Sequence, residues 1–107
     1  MAIQSTVLPE STIDAANVFA CTSTNGSAIT TMYFCNRSGT TTSFNLYVVP
    51  AGFNANANNI AYSNKVVTAG DTYVIDWEKL VLATGETIRA NANVGNAIVA
   101  TVSTIGL

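Results

Sequence analysis

The residues able to do chemistry in this chain are few. Its cations are Arg37, Lys65, Lys79 and Arg89, its anions are Glu10, Asp14, Asp71, Asp76, Glu78 and Glu86, and it has two cysteines and no histidine. Without an imidazole base, nucleophilic catalysis of the Ser–His–acid or Cys–His kind is excluded. A Ser–Lys arrangement needs Lys65 or Lys79 beside a serine, and neither lies in a supporting motif. Carboxylates for glycoside cleavage could be drawn from Asp71, Asp76, Glu78 and Glu86. Those acids fall on turns or polar strand faces, where solvated acids belong, and a domain this small has no room for a sugar cleft. No loop carries the dense Asp/Asn/Gly spacing of a calcium loop, and no glycine-rich phosphate cradle is present. Zinc needs His or several Cys, and only Cys21 and Cys35 are available. The expectation is a non-enzyme with no catalytic residue, no metal and no cofactor.

Composition extends these exclusions. Of 107 residues, 49% are hydrophobic and only 9% charged, with a net charge of −2. That much apolar content with so little charge is not a disordered chain. Four scattered cations cannot make the basic face that nucleic acid requires. Thr, Ser and Asn take the place of charge, giving a surface that is solvated by hydrogen bonds with little mutual repulsion, which makes association easier.

The start, Met1-Ala2-Ile3-Gln4-Ser5-Thr6, has no basic segment followed by an apolar one. The apolar runs at 80–83 and 97–100 are too short to cross a membrane. We therefore expect no membrane partner, no secretory route, and a reducing compartment in which Cys21 and Cys35 are free core residues; a disulfide is the alternative. A hairpin turning at Asn25-Gly26 would set Cys21 opposite Thr30, not Cys35. The sequons at Asn25 and Asn36 match a pattern that a chain this rich in Asn, Ser and Thr produces by chance.

The elements that must position these residues are strands. Thr42, Phe44, Leu46 and Val48 alternate with Ser43, Asn45 and Tyr47; Tyr73, Ile75 and Trp77 alternate with Thr72, Val74 and Asp76. Ile88, Ala90, Ala92 and Val94 alternate with Thr87, Arg89, Asn91 and Asn93. Period two with one polar side predicts half-buried strands. The segment 28–36 is apolar on both faces, with Ile29, Tyr33 and Cys35 on one and Met32 and Phe34 on the other, which suits a central strand. In 97–105, Ile98, Ala100 and Val102 oppose Val99 and Ile105, predicting a last strand that lies mid-sheet or meets a neighbouring subunit. Turn signals at Asn25-Gly26, Ser38-Gly39, Ala51-Gly52, Gly70-Asp71, Gly85-Glu86 and Gly95-Asn96 set the rhythm of a sandwich. The predicted fold is all-β: one antiparallel β-sandwich domain over 1–107, jelly-roll or immunoglobulin-like, with residues 1–9 a candidate arm. About eight strands are expected, near 4–8, 16–22, 28–36, 41–50, 59–68, 71–77, 79–83 with 86–93, and 97–105. Residues 53–59 form a loop, and a short helix is allowed at Ser11–Asn17, capped by Ser11 or Thr12.

Contact residues follow from polarity. Asp76-Trp77-Glu78-Lys79 is the one charge cluster, either a contact patch anchored by Trp77 or the corner between two strands. Arg89 projects from a polar face near Glu86, available to it or to an acid on a neighbour. Edge strands must be covered or paired in an assembly. The candidate interface residues are thus Ile3 and Val7 near the start, Val99 and Ile105 in the last strand, Asn54, Asn56 and Asn58 in the loop, Trp77 and Arg89.

In order along the chain, "MYFCNRSGTTTSFNLYVVPAG" is followed by "VVTAGDTYVIDWEKLVLATGETIRANANVGNAIVATVSTIGL". This succession, over roughly residues 28–107, resembles small virion proteins of tailed bacteriophages, widespread among phages of cyanobacteria and other aquatic bacteria. The resemblance implies a structural component of the virion, assembled in the host bacterial cytoplasm. Within that class it points to a capsid decoration (cement) protein on the outer face of the shell, with the major capsid protein as partner and a homo-oligomer, a trimer, as its form. Other readings are a tail, neck or baseplate adaptor or fibre component, and a module attaching the particle to host carbohydrate. The last needs an exposed aromatic platform, for which Tyr33, Tyr47, Tyr62, Tyr73 and Trp77 are the candidates.

Overall fold

The computed structural model describes residues 2–10, 15–76 and 80–107. They form nine strands: β1 (Ala2–Val7), β2 (Ala16–Ala20), β3 (Ser27–Asn36), β4 (Thr42–Val49), β5 (Ile60–Val67), β6 (Thr72–Ile75), β7 (Leu80–Leu82), β8 (Thr87–Ala92) and β9 (Ile98–Gly106). One sheet runs β1-β9-β3-β6, with β7 also on β3; the other runs β2-β8-β4-β5. All the ladders between these strands are antiparallel. The fold is an antiparallel β-sandwich, as the alternation predicts.

The pairing is nested. β1 pairs with β9, β2 with β8, β3 with β6 and β7, and β4 with β5. A ribbon of such pairs folded over into two sheets is a jelly roll, and the order excludes the immunoglobulin-like alternative. β6 and β7 act as one interrupted strand, meeting β3 at Met32–Cys35 and at Ser27–Ile29.

Three differences from the sequence expectations have local causes. Residues 79–83 and 86–93 do not belong to one strand unit: the turn at Thr84-Gly85 separates β7 and β8, which lie in different sheets. Asn25-Gly26 does not close a hairpin either, because β2 and β3 also lie in different sheets. Gly26 has φ +91°, and a Cβ there would stand 2.7 Å from the Leu82 carbonyl oxygen, so the chain crosses over only with glycine at this point. Ile29 is buried with Met32 and Phe34 rather than sharing a face with Tyr33 and Cys35. A register shift between Ile29 and Thr31 changes the phase of alternation within β3. Of the allowed helix at 11–17, residues 11–14 lie outside the described residues, while Ala16 and Asn17 open β2.

The core lies between the sheets. Ile29, Met32 and Phe34 of β3 and Ile98, Ala100 and Val102 of β9 meet Phe44 and Leu46 of β4 and Ile88, Ala90 and Ala92 of β8. Both β3 and β9 lie mid-sheet, which explains their apolar content on each face. Val94 lies beyond the end of β8 and is exposed. No buried polar side-chain atom among the described residues lacks a hydrogen-bond partner.

Candidate interaction surface

The two sheets turn opposite chemistries outward. On the second sheet, Asn45 of β4 donates through Nδ2 to Asn91 Oδ1 of β8 at 2.8 Å, and its own Oδ1 accepts from the Asn64 backbone N–H at 2.9 Å. Asn93 Oδ1 accepts from the Thr42 hydroxyl and, at 2.8 Å, from the Ser43 N–H. These amides and hydroxyls pin one another in place across the second sheet, beside an exposed Val66.

On the first sheet the register builds rows that cross three or four strands. One row is Val7, Val99, Cys35 and Thr72; the next is Ser5, Thr101, Tyr33 and Val74. A third is Ile3, Ser103 and Thr31, and the last is Ile105, Ala28 and Val81. None of these residues is charged. Ile3 is 70% exposed, and Val7, Tyr33, Val74, Val81 and Ile105 are also open to solvent. This contiguous apolar and hydroxyl face is the candidate interaction surface.

Four of the sequence candidates, Ile3, Val7, Val99 and Ile105, share this face. Tyr33, singled out from sequence only for an aromatic platform, joins them, and sequence reasoning missed Val74 and Val81, whose membership depends on register with β3. Asn54 and Arg89 meet elsewhere: with Ala15 and Ala55 they line a hollow of about 150 Å³, far below the size of a ligand pocket. Arg89 Nε donates to Thr87 Oγ1 at 3.2 Å, and Glu86 Oε1 accepts from the Ala83 N–H at 2.7 Å, so the expected Glu86–Arg89 proximity does not become an ion pair. The loop at 53–59 is held by its own amides. Asn56 Oδ1 accepts from the Asn58 N–H, Asn59 Oδ1 from the Asn56 N–H, and both Nδ2 groups donate to the Asn54 carbonyl. Trp77, and with it most of the charge cluster, lies outside the described residues.

The tyrosines do not form a platform. Tyr62 and Tyr73 pack with Phe44 in one aromatic cluster, Lys65 Nζ sits 4.5 Å from the Tyr73 ring centre, and Tyr33 and Tyr47 belong to opposite outer faces. Among the described residues no group of three or more His, Cys, Asp or Glu could hold a metal ion. Cys21 is buried in the core and Cys35 lies on the outer face of the first sheet; both are free thiols. Among the described residues no helix is long and apolar enough to cross a membrane. No protein-family model, curated protein or solved structure matches the chain.

Proposed function

We propose that this chain is a non-enzymatic structural protein of a phage virion, a capsid decoration protein seated on the outer face of the shell. The observation that carries the reading is the outer face of the first sheet, whose aligned rows hold no charged residue and expose Ile3, Val7, Tyr33, Val74, Val81 and Ile105. Such a face binds by fit and apolar burial against a scaffold rather than by charge steering. The jelly roll hosts many functions and carries none by itself. The ordered succession of strands and turns that resembles phage virion proteins supplies the scaffold's identity: the major capsid protein.

A cement protein stabilises whatever shell geometry it binds preferentially. Repeated copies touching adjacent capsomers raise the effective concentration of each contact, so modest contacts sum to firm attachment. The test is the stoichiometry of this chain to the major shell protein in purified particles. A copy number in fixed proportion to the shell protein supports the reading. A handful of copies per particle favours a tail or baseplate component, and absence from the particle overturns both.

A further inference from the structure

We propose that β1 is a dimerisation edge, along which two copies of this chain join their first sheets by antiparallel pairing of β1 with β1 about Ser5. The inference rests on strand order and register, and does not depend on the virion reading.

The outward backbone groups can be assigned from the ladder. β1 and β9 pair without a shift from Ala2↔Thr104 to Val7↔Val99, and the Leu8 N–H donates to the Ile98 carbonyl in the same register. In an antiparallel pair, residues that exchange hydrogen bonds alternate with residues that do not. Ala2, Gln4 and Thr6 therefore bond to β9. The N–H and C=O groups of Ile3, Ser5 and Val7 point away from the sheet, with no backbone partner among the described residues.

Exposed edges are usually blunted, and the other edges of this sandwich are. β5 carries two register shifts, a left-handed Asn64 with φ 51° and Lys65. β2 is short and shifts between Asn17 and Phe19. β6 and β7 are fragments of four and three residues. β1 has no shift, charge, proline or glycine in its sequence AIQSTV. Among the described residues it is the edge that none of these features blunts.

The strand is also its own complement. Pairing about Ser5 puts Ile3 opposite Val7 of the second copy, Ser5 opposite Ser5, and Gln4 opposite Thr6 on the other face. Apolar meets apolar, polar meets polar, and no like charges oppose each other. This register satisfies every outward group of Ile3, Ser5 and Val7 on both chains. A slip of two residues either way leaves Ile3 or Val7 of each chain with no described β1 residue opposite. The product is one sheet continuous through both subunits, with the uncharged rows of the two outer faces side by side. A foreign strand has no such built-in match, so the occupant is a second copy.

The experiment is a concentration series of the full chain by sedimentation equilibrium, with amide exchange read residue by residue. The expected species has twice the 11.1 kDa mass of one chain, with the Ile3, Ser5 and Val7 amides protected at high concentration and released on dilution. Ser5→Pro removes an outward N–H and the side-chain bond from Ser5 Oγ to Thr101 Oγ1 at 3.1 Å, but takes no backbone hydrogen bond from the β1–β9 ladder. Val7→Lys places a charge opposite Ile3 of the second copy. Each is expected to weaken dimerisation at least tenfold with unchanged circular dichroism. A monomer with unprotected Ile3, Ser5 and Val7 amides, an oligomer whose mass survives both variants, or the trimer that the phage resemblance implies would overturn the proposal. So would β1 occupied by a different protein's strand without any dimer.

Discussion

Phe34 and Phe44 stack across the sandwich, with ring centroids 4.2 Å apart and planes 6° from parallel. Phe34 comes from β3 in the first sheet and Phe44 from β4 in the second, and both are fully buried. They are the two largest fully buried side chains among the described residues. Phe34→Ala or Phe44→Ala is expected to cost about 3–5 kcal/mol, a large part of the ~5–15 kcal/mol that holds a typical domain folded. Urea unfolding reads this as a lower midpoint at unchanged slope. Phe44→Leu keeps most of the volume and should cost less. A double-mutant cycle should return about 0.5–1.5 kcal/mol of coupling between the rings.

Asn36 ties the two sheets through polar contacts. Its side chain is fully buried, donates to the Thr40 and Val67 carbonyls at 2.8 and 2.9 Å, and accepts from the Ser38 N–H and hydroxyl at 3.0 and 2.7 Å. Asn36→Leu takes the side-chain donor from both carbonyls, of which Thr40 keeps the Ser38 hydroxyl at 2.9 Å, and should cost about 1–3 kcal/mol in the same assay. Because that amide is engaged and buried, the Asn36 sequon is not an accessible modification site.

Gly26→Ala meets two penalties at once, a left-handed φ and the Leu82 carbonyl oxygen 2.7 Å from the new Cβ. It should destabilise the protein by more than ~1 kcal/mol. Gly39→Ala, where nothing lies within 4 Å and φ is not left-handed, is the matched control and should shift the thermal midpoint far less.

The thiols should behave differently from each other. Cys35 is half-buried on the outer face, whereas Cys21 is sealed in the core. A thiol reagent should modify Cys35 in the native protein and Cys21 only on unfolding. Adding reductant should leave the thermal midpoint unchanged, since there is no disulfide to break.

Attachment to particles should resist salt. Ions screen charge pairs over about 8–10 Å near physiological strength and do not weaken apolar burial. Raising sodium chloride to about 1 M should not strip the protein from the shell. Release by salt, quantified in the supernatant after sedimenting the particles, would show that charge leads the interface instead.

Strand positions and the inward sets of β4, β8 and β9 were legible in the sequence, because alternation along one strand is local. Phe44, Leu46, Ile88, Ala90, Ile98, Ala100 and Val102 follow it into the core. Partner choice was not legible. Whether Asn25-Gly26 closes a hairpin or carries the chain across to the other sheet depends on what approaches Gly26, here the Leu82 carbonyl from far along the chain. The shift that turns Ile29 inward is likewise set against β9. The contact surface was half visible for the same reason. Ile3, Val7, Val99 and Ile105 announce themselves as apolar residues at polar positions, but Tyr33, Val74 and Val81 join them only once the rows are aligned. Asn36 carried a usable local signal, an asparagine two residues before a serine at a turn.

The contrast between the amide-laced face and the aliphatic one makes each subunit a tile with a glazed side and a dry side. The glazed side already spends its hydrogen bonds internally and prefers water. The dry side gains most when something covers it. A layer laid from such tiles has only one way up, and that sense of direction comes from side-chain choice alone, with hardly a charge involved.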